Sequence, residues 1–146
     1  MAAVGAVCWW MGLSPVGAEP EAPLPPAFSP VIEAEGVLYV SGHLPLRPNT
    51  RTLDGNDIGT QTRRVLQNVA ETLRRAQSGL DEVVRVTVYL TSMDNFADFN
   101  AAYASHFSRP WPARTTVAVK ELAFGARIEV SCIAVRGHAR RPPSND

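Results

Sequence analysis

The chain of 146 residues carries 14 basic and 14 acidic side chains, and 45% of its residues are hydrophobic, which is typical of one globular domain. This balance supplies no basic field for nucleic acid, so partners selected mainly by charge are not expected. The two cysteines and the three histidines are scattered along the chain without ligand spacing. They predict neither a disulfide framework nor a metal site.

The first 18 residues contain no charged side chain, and residues 2–13 form a mostly apolar run that is short for a membrane span. Small residues at 16–18 stand where a signal peptidase would cut. Residues 1–18 are therefore predicted to be a signal peptide and the protein to be periplasmic or secreted. Because this segment lacks lysine and arginine, a cytoplasmic location is the alternative if it is not a working signal.

Prolines are concentrated on both sides of the central part of the chain. Residues 19–27 are predicted to be an extended linker, and residues 138–146, with Pro142 and Pro143, a disordered tail. The folded domain is accordingly predicted at residues 28–137.

The domain opens with two short apolar runs, 31–34 and 37–41, which Glu35 and Gly36 divide as in a β-hairpin. A turn-rich segment follows, and Asp57 is the predicted N-cap of a helix that ends near Gly79. Apolar residues recur along this helix at three- and four-residue steps. They are Ile58, Val65, Leu66, Val69 and Leu73.

Residues 84–90 alternate between apolar and polar side chains and predict a half-buried strand. Asp94 is the predicted cap of a second helix, whose aromatic stripe is assigned to the core. The stripe consists of Phe96, Phe99, Tyr103 and Phe107. Two more strands follow, one with Thr115, Val117 and Val119 on its core side and one with Ile128, Val130, Cys132 and Ala134.

This order predicts an α+β domain in which two helices cover one face of a mixed sheet. The opposite face is too apolar for a fully solvated surface and favours a homo-oligomer. Its assigned residues are Tyr89, Thr116, Ala118, Ser131, Ile133 and Val135.

Arg114 and Glu129 are the candidate functional pair. An arginine at the start of a strand can hold a carboxylate in a two-point fork, and a glutamate within an apolar strand is costly to bury without a task. The alternatives are a solvated arginine and a glutamate that faces water. In a simple hairpin the two side chains would point to opposite faces. A bulge, a different connection or a pocket shared between subunits would remove this conflict.

Five strings in order make the domain resemble the RidA/YjgF family of reactive intermediate deaminases. They extend over about residues 28–136 and are each weak alone but specific together. The strings are 37–46 (VLYVSGHLPL), 57–62 (DIGTQT), 86–93 (VTVYLTSM), 99–103 (FNAAY), and the pair 112–114 (PAR) with 128–130 (IEV).

The resemblance implies a homotrimer of chorismate-mutase-like protomers with pockets at the subunit interfaces. It also implies hydrolysis of 2-imino acids and 2-aminoacrylate-type enamines to 2-keto acids and ammonia, a reaction that needs no cofactor. Arg114 would bind the substrate carboxylate and Glu129 would position or activate water. Ser41, Gly42 and Asn100 would line the pocket, with Ser41 as a positioning hydroxyl because no motif places a histidine base beside it.

The chain departs from the family pattern at several pocket positions. Phe28 replaces a tyrosine, Thr116 a cysteine and His43 a glutamine, and residues 121–125 replace a Leu-Pro-Lys-Gly type of turn. The retained arginine implies that the reaction class is kept, while the substrate is left open.

Two other functions remain on the same scaffold. A non-catalytic trimer that binds small ligands or acts as a chaperone is the first, because a fold does not fix a function. An endoribonuclease or translation inhibitor is the second, and the balanced charge makes it the weaker alternative.

Overall fold

The computed structural model describes residues 27–138 and residue 140. The predicted signal peptide, nearly all of the predicted linker and residues 141–146 lie outside the described residues. The elements follow the predicted order. They are β1 (Val31–Ala34), β2 (Val37–His43), α1 (Ile58–Arg75), β3 (Val83–Leu90), α2 (Phe96–Ala104), β4 (Ala113–Ala118) and β5 (Ile128–Val135).

The five strands form one mixed sheet in the order β1-β2-β5-β3-β4. All neighbouring pairs are antiparallel except β3 and β4, which are parallel. The last two strands therefore do not form a hairpin, because β5 inserts between β2 and β3 and leaves β4 at the edge. This is the connection that the sequence left open.

Both helices cover one face of the sheet, as predicted. One hydrophobic cluster unites side chains of α1, of α2 and of the covered face of the sheet. The sheet contributes Leu38, Val40, Val83, Val86, Val88, Leu90, Ile128, Val130, Cys132 and Ala134. The fold class is therefore the predicted α+β class, with two helices on one face of a mixed sheet.

The first helix begins where the sequence places it. The side chain of Asp57 accepts a hydrogen bond from the Thr60 N–H (2.7 Å), as expected of an N-cap. One turn later Gln61 is buried, and its amide joins two loops: Nε2 donates to the Gly55 carbonyl and Oε1 accepts from the Arg127 N–H. The helix therefore fixes the chain immediately before β5.

The start of the second helix differs from the prediction. Ser92, not Asp94, accepts from the backbone and caps a short 3₁₀ turn at Met93–Asn95, and α2 follows at Phe96. Phe107 is buried but lies beyond the helix, which ends at Ala104. The aromatic stripe packs in tilted rings, with centroids 5.6 Å apart for Phe99 and Tyr103.

The prediction was wrong about which side of β4 faces the core. Arg114 and Thr116 pair with the buried Val86 and Val88, so they lie on the helix-covered face together with Ala118. Thr115 and Val117 lie on the opposite face. In the edge strand both sides are partly exposed, and its parallel register with β3 fixes the orientation.

The uncovered face of the sheet is apolar at several positions. Ile32 and Tyr39 pair with each other on this face and are 54% and 50% exposed, and Val117 is 40% exposed. An exposed apolar surface of this kind is typical of an interface.

Arg140 connects the C-terminal end of the described chain to the domain. Its guanidinium donates to the carbonyls of Leu80, Asp81 and Val83 at one end of β3 and to those of Ser108 and Pro110 before β4. The disordered tail at residues 138–146 stays a prediction.

Candidate functional site

Arg114 lies between the edge strand and the second helix. Its Nη2 donates to Asn100 Oδ1 (2.9 Å), and its guanidinium carbon lies 4.6 Å from the ring centroid of Tyr103 and 5.1 Å from that of Phe99. A planar guanidinium packs well on aromatic faces, which orient it without using its donors. The aromatic stripe thus supports the arginine as well as the core.

Within the described residues, no carboxylate comes within 4.0 Å of the Arg114 guanidinium. Several other arginines of the domain are paired with a carboxylate, for example Arg64 with Asp54 and Arg136 with Glu33. Arg114 therefore retains donors that suit a planar carboxylate in a two-point fork.

Two buried hydroxyls lie on the same side of the sheet as this arginine. Tyr103 Oη and Thr116 Oγ1 have no hydrogen-bond partner among the described residues. Burial raises the pKa of Tyr103 to about 12, against the opposing effect of Arg114, so the phenol remains a neutral donor. We call Asn100, Tyr103, Arg114 and Thr116 the arginine cluster.

Glu129 lies on the opposite face of the sheet. It pairs with Tyr89 in the register of β3 and β5, whereas the neighbouring Ile128 and Val130 are buried under the helices. Its carboxylate lies against Gly42, at a bulge where the register of β2 and β5 shifts between Val40 and His43. A β-carbon at position 42 would overlap Glu129 Oε1, so this close approach needs glycine.

Partial burial raises the pKa of Glu129, and the nearby His43 acts in the opposite direction. A carboxyl group with a raised pKa accepts a proton more readily than an ordinary one, which suits a group that shuttles a proton from water. The raised pKa also makes stability depend on pH. The folded state binds the Glu129 proton more tightly than the unfolded state does, so this contribution to the free energy of unfolding is present at low pH and is lost as the pH rises through the raised pKa.

Ser41 has a structural task. Its Oγ donates to the Ser29 carbonyl (2.7 Å) and its N–H donates to the Pro30 carbonyl (3.0 Å). These bonds hold the segment that carries Phe28, whose side chain is 61% exposed. The hydroxyl is thereby positioned as a tether rather than as a nucleophile.

His43 also contributes to this site, although the sequence alone predicts no role for it there. Its Nδ1 contacts the Ser41 carbonyl (2.8 Å) and its Nε2 contacts Thr72 Oγ1 of α1 (2.7 Å). Because a carbonyl only accepts, Nδ1 carries the proton and the Thr72 hydroxyl can donate to Nε2. The imidazole ring thus connects the β2 bulge to α1. The sequence signal for this residue is that histidine stands where the family that the chain resembles has glutamine.

These residues open into a cleft of about 1110 Å³ that we call the glutamate cleft. It contains Phe28, Ser41, Gly42, His43 and Glu129, and its second wall is the exposed side of α1 with the segment 44–50. Asn68 fixes that wall by donating to the carbonyls of Leu44 and Leu46, both at 2.9 Å.

The structure therefore divides the predicted site residues into two groups within one chain. Phe28, Ser41, Gly42 and Glu129 line the glutamate cleft, whereas Asn100, Arg114 and Thr116 do not. Strand β3 separates β4 from β5, and Arg114 and Glu129 point to opposite faces. The non-hairpin connection does not bring the pair together.

In the part of the chain that the structure describes, no group of three or more histidine, cysteine, aspartate or glutamate side chains is arranged to hold a metal ion. Nor is any helix in residues 27–138 long and apolar enough to cross a membrane.

The mixed sheet covered by two helices on one face is an α+β fold, and its structural neighbours are proteins of the YjgF and L-PSP class. The family model described as endoribonuclease L-PSP matches residues 19–136. The mitochondrial protein MMF1 of Saccharomyces cerevisiae is 37% identical over 84% of this chain and 84% of its own length. The chain belongs to the RidA/YjgF family.

Solved structures agree with this assignment. The Rid-family protein YyfA of Yersinia pestis is 39% identical, covers 75% of this chain and 87% of its own, and superposes with a TM-score of 0.72. Escherichia coli TdcF, solved with bound serine, is 26% identical with a TM-score of 0.70, over 75% of this chain and 88% of its own.

Proposed function

We propose that the chain is a deaminase that hydrolyses 2-imino acids and their 2-aminoacrylate-type enamine tautomers to 2-keto acids and ammonia. The observation that carries the proposal is the Arg114 guanidinium. It is oriented by Asn100 and by aromatic rings, and it keeps donors for a carboxylate that the described residues do not supply. A substrate that carries a carboxylate next to its reacting carbon fits this arrangement.

The site we propose lies between two subunits of a homotrimer. Within one chain, Arg114 and Glu129 point to opposite faces of the sheet, so a single subunit does not bring them together. The exposed apolar residues Ile32, Tyr39 and Val117 supply a surface for association. A second copy packed there can bring the arginine cluster of one subunit to the glutamate cleft of the next.

Hydrolysis of the imine requires a correctly oriented substrate and the transfer of protons. The imine carbon is already electrophilic, so water adds to it and forms a C–O bond. Glu129 takes a proton from this water and delivers it to the substrate nitrogen, which gives a carbinolamine. A second proton then passes from the new hydroxyl through Glu129 to the nitrogen as the C–N bond breaks and the C=O bond forms, so ammonia leaves and the 2-keto acid remains. The raised pKa of Glu129 favours this exchange of protons.

The relative solved with bound serine supports the polar end of the proposed ligand. Serine is an amino acid with the same carboxylate and the same adjacent nitrogen-bearing carbon as a 2-imino acid. TdcF therefore binds a small amino acid that shares the carboxylate and the adjacent nitrogen-bearing carbon with the substrates that we propose for this chain.

The test is ammonia release from freshly generated 2-iminobutanoate, measured above its spontaneous hydrolysis. We expect the wild-type protein to accelerate release and Arg114→Ala to lose about 100-fold of that acceleration, because the substrate is no longer held in place. Arg51→Ala is the matched control, since Arg51 is an exposed arginine outside both groups of site residues. A wild-type rate equal to the spontaneous rate rejects the deaminase.

The same preparations distinguish the two other functions. The name of the family model makes ribonuclease activity worth measuring on a single-stranded RNA. RNA cleavage without ammonia release would replace our proposal, and saturable binding of a 2-keto acid without either reaction would leave a ligand-binding protein.

A further inference from the structure

Two phenyl rings are exposed at the glutamate cleft. Phe28 is 61% exposed and Phe124 is 54% exposed, and both line the cleft together with Glu129. A large apolar side chain gains stability when it leaves water, so two such rings at one concave site indicate an apolar partner for them.

Phe124 lies in a turn with an unfavourable backbone conformation. Phe124 has φ 59° and ψ 13°, in the left-handed region that favours glycine or asparagine, and Gly125 follows with φ 71°. Backbone hydrogen bonds from the Gly125 and Ala126 N–H groups to the carbonyls of Leu122 and Ala123 close the turn. The turn thus carries a phenyl ring at a position where its backbone alone would favour a smaller residue.

Hydrogen bonds from β2 hold the segment that carries Phe28. The Ser41 hydroxyl and N–H bind the carbonyls of Ser29 and Pro30, directly after Phe28 in the chain. A phenyl ring has no hydrogen-bond donor, so its contact with a ligand is apolar.

We propose that Phe28 and Phe124 form the wall that receives the side chain of the substrate. The site then prefers 2-imino acids with an aromatic or a large aliphatic side chain to the small 2-iminopropanoate. This preference rests on the proposed function. In that function Arg114 binds the substrate carboxylate and Glu129 lies next to the imine carbon, while the substrate side chain contacts the two phenyl rings.

Binding of stable 2-keto acids tests the wall without catalysis. Titration calorimetry should show that phenylpyruvate binds the wild-type protein about 10-fold more tightly than pyruvate, since an apolar pocket discriminates in this range per added group. Phe124→Asn keeps a residue that tolerates the left-handed backbone but removes the ring, and should abolish most of this preference. Phe124→Tyr keeps the ring and should retain it. Equal affinities in the wild-type protein, or a preference unchanged in both Phe124→Asn and Phe28→Ala, overturn the inference.

Turnover separates this inference from the function on which it rests. We expect the catalysed-to-spontaneous ratio to be higher for the imine of phenylalanine than for that of alanine, and Phe124→Asn to lower the first ratio more. Hydrolysis of both imines with equal ratios overturns the side-chain wall and leaves the deaminase intact. A preference for phenylpyruvate with no hydrolysis of either imine rejects the deaminase and supports the wall as a ligand-binding surface.

Discussion

At the scale of single residues, Gly42 determines where the Glu129 carboxylate lies. The two residues come from different strands, and the carboxylate occupies the space that a β-carbon at position 42 would need. That carboxylate is the end of a flexible side chain, so an alanine can displace it without forcing the backbone apart.

We therefore expect Gly42→Ala to fold and to reduce deamination to about the level of Glu129→Gln. Because both changes remove the same positioned carboxylate, the double variant should fall no further than either single one. The rate of ammonia release in this cycle is the measurement. Gly59→Ala is the control, since its β-carbon would approach Asp57 and not Glu129. Independent, multiplicative losses at positions 42 and 129 would contradict this coupling.

The sequence was enough to select Arg114 and Glu129 as candidate functional residues, but it did not predict which residues contact them. Arg114 and Glu129 stand out because each is a charge next to apolar strand residues. The contacts of Arg114 with Asn100 and Tyr103 depend on how α2 packs against the edge strand β4. No local sequence pattern predicts that packing. The clamp by His43 depends in the same way on Thr72, 29 residues away.

At the scale of elements, Gln61 joins the first helix to the start of β5. Its side chain is 2% exposed, and its amide satisfies the Gly55 carbonyl (3.0 Å) and the Arg127 N–H (2.8 Å). Glu129 follows two residues after Arg127, so this amide also anchors the strand that carries the proposed proton-transfer group.

We expect Gln61→Leu to lower the free energy of unfolding by about 1–3 kcal/mol, because leucine fills the space but leaves two polar backbone groups unpaired. Urea denaturation at a fixed protein concentration measures the change. Gln67→Leu is the matched control on the exposed side of the same helix and should change the free energy by less than about 0.5 kcal/mol. Equal effects of the two substitutions would show that the amide contacts contribute nothing.

Element order and the start of α1 were predictable because alternation, helical spacing and Asp57 are local signals. The orientation of β4 was not. This strand lies at the edge with threonine at two successive positions, so alternation favours neither side, and its parallel pairing with β3 decides. Ser92 replaced Asp94 as cap because an extra 3₁₀ turn precedes α2, and both residues suit a helix start.

At the scale of the whole molecule, the described chain keeps the two parts of the proposed site apart. No carboxylate of the described residues lies within 4.0 Å of the Arg114 guanidinium in the arginine cluster, and the arginines that line the glutamate cleft, Arg47, Arg64 and Arg75, are each already paired with a carboxylate. The placement of the two parts on opposite faces makes the proposed activity dependent on assembly. An exposed apolar sheet face alone would not predict which residues meet, because that depends on the rotation between subunits.

Mixed trimers test this dependence directly. Arg114→Ala and Glu129→Gln trimers should each be nearly inactive alone. When the two variants are co-expressed in equal amounts, an interface is intact only if the Glu129→Gln variant supplies its arginine and the Arg114→Ala variant supplies its glutamate. Random assembly makes this true for about one quarter of interfaces, so about one quarter of the wild-type rate should return.

The control is a mixture of the two purified trimers under conditions where the subunits do not exchange, which should stay inactive. Sedimentation confirms that the co-expressed protein is a trimer, and mass spectrometry of the intact assemblies counts the mixed ones. If Arg114 and Glu129 acted within one chain, every subunit would carry a defect and no rate would return. Absence of recovery in verified mixed trimers would therefore place the complete site inside a single subunit and overturn the shared site.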